Sequence, residues 1–258
     1  MSRVFITGSA DGLGRMAAER LVADGHDVVL HARSESRGRE AMDAVPGAAG
    51  VVTGDLSSIA AVRDVTDGAN ATGRFDAVIH NAAVGYQESR RDTDDGIEHV
   101  FAINVLAPYL MTALMEPPSR LVYLSSGMHR GGDPDLSDLG WERRRWSGSQ
   151  AYSDSKLWDV VLAFGVARHW PDVLSNAVTP GWVATKMGGR GAPDDLAQGS
   201  ETQAWLAVSD DPDAQVSGRY LYHREVADTH AAAADPAIQD ALLEACAELT
   251  GVRLPSRG

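Results

Sequence analysis

Val4-Phe5-Ile6-Thr7-Gly8-Ser9-Ala10-Asp11-Gly12-Leu13-Gly14 is the stretch that decides how this chain folds. Val4 to Ile6 form a short apolar run of the kind buried on both faces of a parallel sheet. Glycines stand at 8, 12 and 14, and a helical pattern follows at once. Leu13, Ala17, Ala18, Leu21 and Val22 fall on one face of it. Glycine lets backbone come close to a pyrophosphate, and a helix N-terminus offers unpaired N–H groups and a positive dipole end. Strand, glycine turn and helix therefore read as the first half of a dinucleotide-binding unit. The competing reading is a tight turn with no ligand, because the spacing differs from Gly-x-Gly-x-x-Gly. The rest of the chain decides between them.

Outward from this stretch, apolar runs alternate with helical patterns. Strands are expected at 28–31, 50–54, 75–80, 120–124, 174–178 and 219–222. Helices are expected at 33–44, at 94–115 with a kink at Pro108, and at 152–169, 194–208 and 236–249. One more should run from an N-cap at Ser57 or Ser58 to about residue 70, and Gly251 should close the last helix. This alternation predicts an α/β fold, a single doubly wound parallel sheet of about seven strands (a Rossmann fold) with helices on both faces. No domain boundary is visible. Residues 1–258 read as one dinucleotide-binding and catalytic domain with a polar loop insertion at 127–150, expected to be a mobile lid.

Composition narrows the function. The net charge of −13 argues against nucleic acid or an anionic membrane as partner. Cys246 is the single cysteine and reads as packing, so no internal disulfide forms and a reducing compartment fits. No apolar run approaches the roughly 20 residues of a membrane helix, and the first strand begins at once, so a soluble cytoplasmic protein is expected. His31, His99 and His129 lack metal-ligand spacing, and no metal is expected. Arg143-Arg144-Arg145 reads as a solvated loop face.

In a doubly wound sheet, ligands bind at the carboxyl ends of the strands. Here those ends carry Thr7-Gly8, His31 to Arg33, Asp55-Leu56, Asn81-Ala82-Ala83, Ser125-Ser126 and Pro180-Gly181, all polar, small or glycine-bearing. Tyr152 and Lys156 lie four apart on one helix face. An ammonium beside a phenol lowers its pKa from about 10 and makes it a usable acid or base. A surface Tyr–Lys pair is the plain alternative when that spacing stands by itself.

Together these residues resemble the short-chain dehydrogenase/reductase family over essentially the whole chain. Thr7-Gly8-x-x-x-Gly12-x-Gly14 is similar to the family's cofactor turn, and Asp55-Leu56 to its adenine-contacting pair. His80-Asn81-Ala82-Ala83 is similar to its Asn-Asn-Ala-Gly segment, with Ala83 in place of glycine. Asn104, Ser126, Tyr152 and Lys156 match its catalytic four. Pro180-Gly181-Trp182-Val183-Ala184-Thr185 is similar to its Pro-Gly motif with a trailing Thr. The long gap between Ser126 and Tyr152, with Ser125-Ser126-Gly127-Met128-His129-Arg130, resembles the retinol-dehydrogenase-like members.

The resemblance implies an oxidoreductase that moves a hydride between a nicotinamide cofactor and a ketone, aldehyde or alcohol. Tyr152 would be the general acid or base. Lys156 would lower its pKa and hold the ribose, Ser126 would fix the substrate oxygen, and Asn104 would hold a water. Cofactor contacts are implied for Gly8, Ser9, Asp11, Gly12, Leu13, Gly14, Arg33, Ser34, Asp55, Leu56, Asn81, Ala82, Ala83, Tyr152, Lys156, Pro180, Gly181, Val183 and Thr185. Relatives pair through faces resembling helices 94–115 and 152–169, so a homodimer or homotetramer is implied. Trp141, Trp146, Trp182 and Met187 suggest an apolar substrate pocket. The rivals are a sugar-nucleotide epimerase or dehydratase, and a regulatory protein that keeps the cofactor but little activity.

The second strand ends Leu30-His31-Ala32-Arg33-Ser34, without the Asp or Glu that binds a free ribose in NAD enzymes. Arg33, Ser34 and His31 are candidates for a 2′-phosphate, so NADP(H) is expected, with NAD(H) second. Asp11 argues mildly against this.

Overall fold

The computed structural model describes residues 1–257. Its strands are β1 (Arg3–Ile6), β2 (Asp27–Ala32), β3 (Gly50–Thr53), β4 (Ala77–His80), β5 (Arg120–Leu124), β6 (Leu174–Thr179), β7 (Tyr220–Tyr222) and β8 (Glu225–Val226). They form one sheet in the order β3-β2-β1-β4-β5-β6-β7-β8. The first seven are parallel and β8 is antiparallel to β7. The eighth strand was not expected. It is two exposed residues, joined to β7 by a turn in which His223 and Arg224 have φ of 50° and 66°.

Alternation along each strand feeds two apolar layers. Phe5, Val29, Val78, Leu121 and Ala177 face one layer, closed by α3 (Ile59–Ala71), α5 (Ala107–Leu114), α6 (Gly148–His169) and α8 (Pro236–Thr250). Val4, Ile6, Leu30, Ile79, Val122 and Val178 face the other, closed by α1 (Gly12–Ala23), α2 (Glu35–Ala44) and α7 (Glu201–Val208). The connection leaves β1 toward β2 and β3, then crosses back to β4, so the topological switch lies between β1 and β4.

Local chemistry sets several helix ends differently from the sequence expectation. The long helix at 94–115 is broken into α4 (His99–Phe101), a π turn (Ala102–Leu106) and α5. Pro108 has no N–H to give, and the wider turn before it places the proline at the head of α5, where none is needed. Ser58 stands at the N-cap of α3 but makes no capping bond, and Asp95 Oδ2 takes the Ile59 N–H at 2.7 Å instead. The helix expected from Asp194 begins only at a 3₁₀ turn, Gln198–Ser200, because Asp194 accepts the Trp182 N–H at 2.5 Å.

The 127–150 insertion is pinned in place. Asp138 accepts N–H bonds from Glu142, Arg143 and Arg144 at 2.8, 3.3 and 3.3 Å. Arg144 lies 3.8 Å over the ring of buried Trp141 and pairs with Asp154 on α6 at 2.9 Å, so it is not a solvated side chain. Trp146 packs edge-on against Trp141 and donates to the Glu88 carbonyl at 3.2 Å. Both tryptophans therefore hold the loop to the body, whereas an apolar pocket had been expected of them. α6 is buried nearly all round, as a helix packed on both the sheet and α8 must be. Nearby, the Tyr109 hydroxyl of α5 donates to the Val252 carbonyl at 2.8 Å.

Candidate active site

The glycine turn is built by close approach. Gly8 has φ +63°, and a Cβ there would lie 2.9 Å from Ala82 Cα. A Cβ on Gly14 would lie 2.6 Å from the Gly8 carbonyl. Gly12, with φ +51°, faces open space, at the end of α1 where first-turn N–H groups lack helical partners. This cradle of bare backbone fits a pyrophosphate. Thr7 Oγ1 accepts the N–H of Asn81 and Ala82 at 2.9 and 3.0 Å. Asn81 Nδ2 returns bonds to the Thr7 and Gly8 carbonyls at 3.0 and 3.2 Å. The ends of β1 and β4 are thus stitched into one floor at the switch point. Ala83, in the place of a glycine, is not among the residues with positive φ, so its side chain is tolerated.

His31 does not face this floor as a ligand contact. It is buried, and its Nδ1 accepts the Gly8 N–H at 3.0 Å. Its other nitrogen then carries the proton and donates to the Gly54 carbonyl at 3.0 Å. The ring braces the glycine turn, and with both nitrogens bonded to backbone it has none left for a 2′-phosphate. Burial depresses its pKa from 6.5 to about 4, against smaller opposing effects of the Gly54 bond and Asp55. Because the folded pKa is depressed, the unfolded chain binds the extra proton first. Stability from neutral His31 is complete above pH 6.5 and falls as pH drops toward 4, by about 3 kcal/mol in all. His31→Gln should therefore flatten the acid side of the stability curve. Urea unfolding of both proteins from pH 7 to 4 reads this; parallel curves would contradict it.

Ser34 caps α2, accepting the Arg37 N–H at 3.4 Å, and Arg33 beside it is exposed. Glu35 accepts from Thr53 Oγ1 at the end of β3 at 2.5 Å. Arg37 was missed in the sequence, although it lies one helical turn beyond Arg33. Its Nη2 is 3.5 Å from the Ala10 carbonyl and 3.6 Å from Asp11. Asp11 caps Gly12 and is paired with Lys186, which with Arg37 offsets its charge. These contacts, the Lys186 bond first, hold its carboxyl below the usual range. Lys186 belongs to the segment after Pro180, where Gly181 has φ +80° and Thr185 Oγ1 accepts the Gly188 N–H at 3.1 Å. Val183 is buried, and both it and Leu13 lie against Gly199, so this segment abuts the start of α1. On the other flank, Asp55 accepts the Ser57 N–H at 2.9 Å and Leu56 is buried.

At the end of β5, Ser125 Oγ donates to the Lys156 carbonyl at 2.7 Å and fixes α6 to the sheet. Lys156 Nζ donates to the Leu124 carbonyl at 2.8 Å and to Asp159 at 2.7 Å, and lies 5.6 Å from the centre of the Tyr152 ring. Ser126 is half-buried and accepts the Met128 N–H at 3.2 Å. Buried His129, also missed as a support, bonds the Ser126 carbonyl through Nδ1 at 2.7 Å. Asn104 clamps both backbone groups of Val84, accepting its N–H at 2.8 Å and donating to its carbonyl at 3.1 Å, and donates to Ser155 Oγ at 3.0 Å.

Burial raises the Tyr152 pKa above its ordinary value, while Lys156 and the Ser126 hydroxyl pull it down. A lowered phenol had been expected. Desolvation of the buried phenol outweighs the ammonium. Tyr152, Lys156 and Ser126 are nevertheless gathered at one spot, with Tyr86 edge-on to Tyr152 at 6.0 Å.

The short chain dehydrogenase family profile matches residues 2–127. A relative from Gibberella zeae, the short-chain dehydrogenase chry4, is 42% identical over 99% of this chain and 100% of its own length. Retinol dehydrogenase 14 of Mus musculus is 30% identical over 84% of this chain and 76% of its own. Among solved structures, an uncharacterized protein from Mycobacterium paratuberculosis superposes with a TM-score of 0.86 at 26% identity, covering 99% of this chain and 95% of that one.

Proposed function

The chain belongs to the short-chain dehydrogenases, a family of oxidoreductases, and from that premise we propose that it transfers a hydride between NADP(H) and a carbonyl or alcohol carbon. The observation that carries this reading is the gathering of Tyr152, Ser126 and Lys156 at the end of β5, beside the β1/β4 switch point.

The bound nicotinamide would supply or accept the hydride. The protein's part is geometry and protons. Backbone at Gly8, Ser9, Gly12, Leu13 and Gly14 would take the pyrophosphate, and Asp55 and Leu56 the adenine. Asn81 to Ala83 would line the floor, with Pro180, Gly181, Val183 and Thr185 toward the nicotinamide. Tyr152 would give its proton to the carbonyl oxygen in reduction and take it from the alcohol in oxidation. Ser126 would fix that oxygen. Two of the three N–H groups of Lys156 are used by Leu124 and Asp159, which leaves one for a ribose hydroxyl. Asn104 holds the 84 backbone against α6 and would secure the water relay only through that position.

Exposed Trp182 and Met128, with Tyr86 against Tyr152, favour an apolar substrate of some size. A cytoplasmic location is part of the same proposal; no helix among the described residues is long and apolar enough to cross a membrane. A homodimer or homotetramer through the 94–115 and 152–169 helices remains part of the proposal, although α8 of the same chain already packs on α6 and α5. The epimerase reading is weakened because the chain after Lys186 goes into α7, β7, β8 and α8 of the same sheet and its covering layers. Assay of a panel of ketones and alcohols with each cofactor tests the proposal. Cofactor binding without turnover across the panel would favour the regulatory reading.

The choice of NADP(H) rests on exposed Arg33 and on Arg37 beside the glycine turn. Charge-assisted bonds of this kind are worth about 1.5–3 kcal/mol each. Arg33→Ala should therefore reduce the NADPH-over-NADH ratio of kcat/KM by roughly ten- to a hundredfold, and adding Arg37→Ala should reduce it further. Equal ratios in wild type and variants, or a wild-type preference for NADH, would overturn the assignment.

A further inference from the structure

One charge in the site has no part in the mechanism above. Asp159 lies three residues beyond Lys156 on α6, and both side chains are only 3% exposed. Their contact is 2.7 Å. A neutral acceptor at this position would satisfy the lysine N–H equally well. A carboxylate adds a buried negative charge beside Lys156, and buried charges are expensive unless paired. Its effect reaches beyond the pair: the carboxylate lies 2.7 Å from an ammonium that is itself 5.6 Å from the Tyr152 ring centre, so both charges fall within Coulomb range of the phenol, with opposite sign.

The surroundings leave this opposition unscreened. On α6 itself, Lys156 and Tyr152 face the carboxylate, and from β5 comes neutral Tyr123, with His80 of β4 stacked behind it at 4.7 Å. Buried Glu98 and His99 at the start of α4, and His129 and exposed Arg130 in the 127–131 turn, belong to elements packed on α6. The buried face of α8 is uncharged. Lys156 is the cation paired with Asp159, and its charge and hydrogen bond pull the carboxyl down against burial. Burial pushes that carboxyl up to about 6, so it is ionised over the range in which a phenol works.

We propose that Asp159 is a positioning residue that sets the ionisation of Tyr152: it holds the Lys156 ammonium in place and cancels part of its field at the phenol. This rests on the reading of Tyr152 as acid and base. The sign of the effect separates it from a structural role. Loss of Lys156 should raise the Tyr152 pKa, whereas loss of the Asp159 charge should lower it.

The experiment is an ultraviolet titration of tyrosinate in the full-length, cofactor-free protein, each trace taken as a difference from its own Tyr152→Phe counterpart. Asp159→Asn should move the Tyr152 step to lower pH by on the order of 1 unit. The alkaline limb of kcat/KM for ketone reduction should move in the same direction. Asp159→Glu, which keeps the charge, should leave the step near wild type. A step that is unmoved or raised in Asp159→Asn overturns the proposal. Should that variant fail to fold, the comparison is Lys156→Met with Lys156→Met/Asp159→Asn, in which both charges are gone. The double variant must titrate lower than the single, and equal steps overturn the proposal. The absorbance step is readable without turnover. A protein that shows the shift but reduces no ketone would refute the functional reading and leave this one standing.

Discussion

Tyr152→Phe is expected to keep its fold and its cofactor affinity and to lose about 10²- to 10⁴-fold in kcat, the usual worth of a positioned acid or base. The ring is buried and held edge-on by Tyr86, so phenylalanine fills the same space. What goes is the hydroxyl beside Ser126, which has no substitute in the site. Cofactor fluorescence titration and steady-state rates read the two halves of this expectation. A variant with near wild-type kcat would remove Tyr152 from the mechanism.

Lys156→Met should be at least as damaging to turnover, and it should also destabilise the fold. The ammonium would no longer hold a ribose hydroxyl or lower the phenol pKa. Asp159 would be left buried without a partner, and breaking such a pair by removing one member costs about 3–5 kcal/mol. Adding Asp159→Asn removes the stranded charge. The double variant should recover most of the lost stability in urea unfolding and none of the lost activity. Recovery of both together would mean that Lys156 serves only the fold.

Much of the fold was legible because its signals are local. The apolar run at Val4, the glycines at 8, 12 and 14 and the helical face from Leu13 each lie within a few residues of one another, and they place β1, the turn and α1. Tyr152 and Lys156 are a single-helix spacing and meet as expected. What escaped depends on partners far along the chain. Nothing in the run Leu30-His31-Ala32 says that the ring turns inward to Gly8 and Gly54. Arg144 reads as one of three solvated arginines until Asp154 and Trp141 come under it. The π turn before Pro108 solves a missing N–H in a way that only the surrounding packing selects. Asp159 was within reach, since an i,i+3 carboxylate on the helix of a buried lysine is a visible signal.

The central claim is hydride transfer at this site, and it is tested most directly by following the hydrogen itself. The enzyme is given NADPH deuterated at the transferring position and an aryl ketone from the active panel, and the product is read by mass spectrometry. The account predicts an alcohol with one deuterium on the carbinol carbon, formed by wild type and nearly absent with Tyr152→Phe. An alcohol without deuterium, or NADPH bound and left unchanged across every ketone tried, would contradict it.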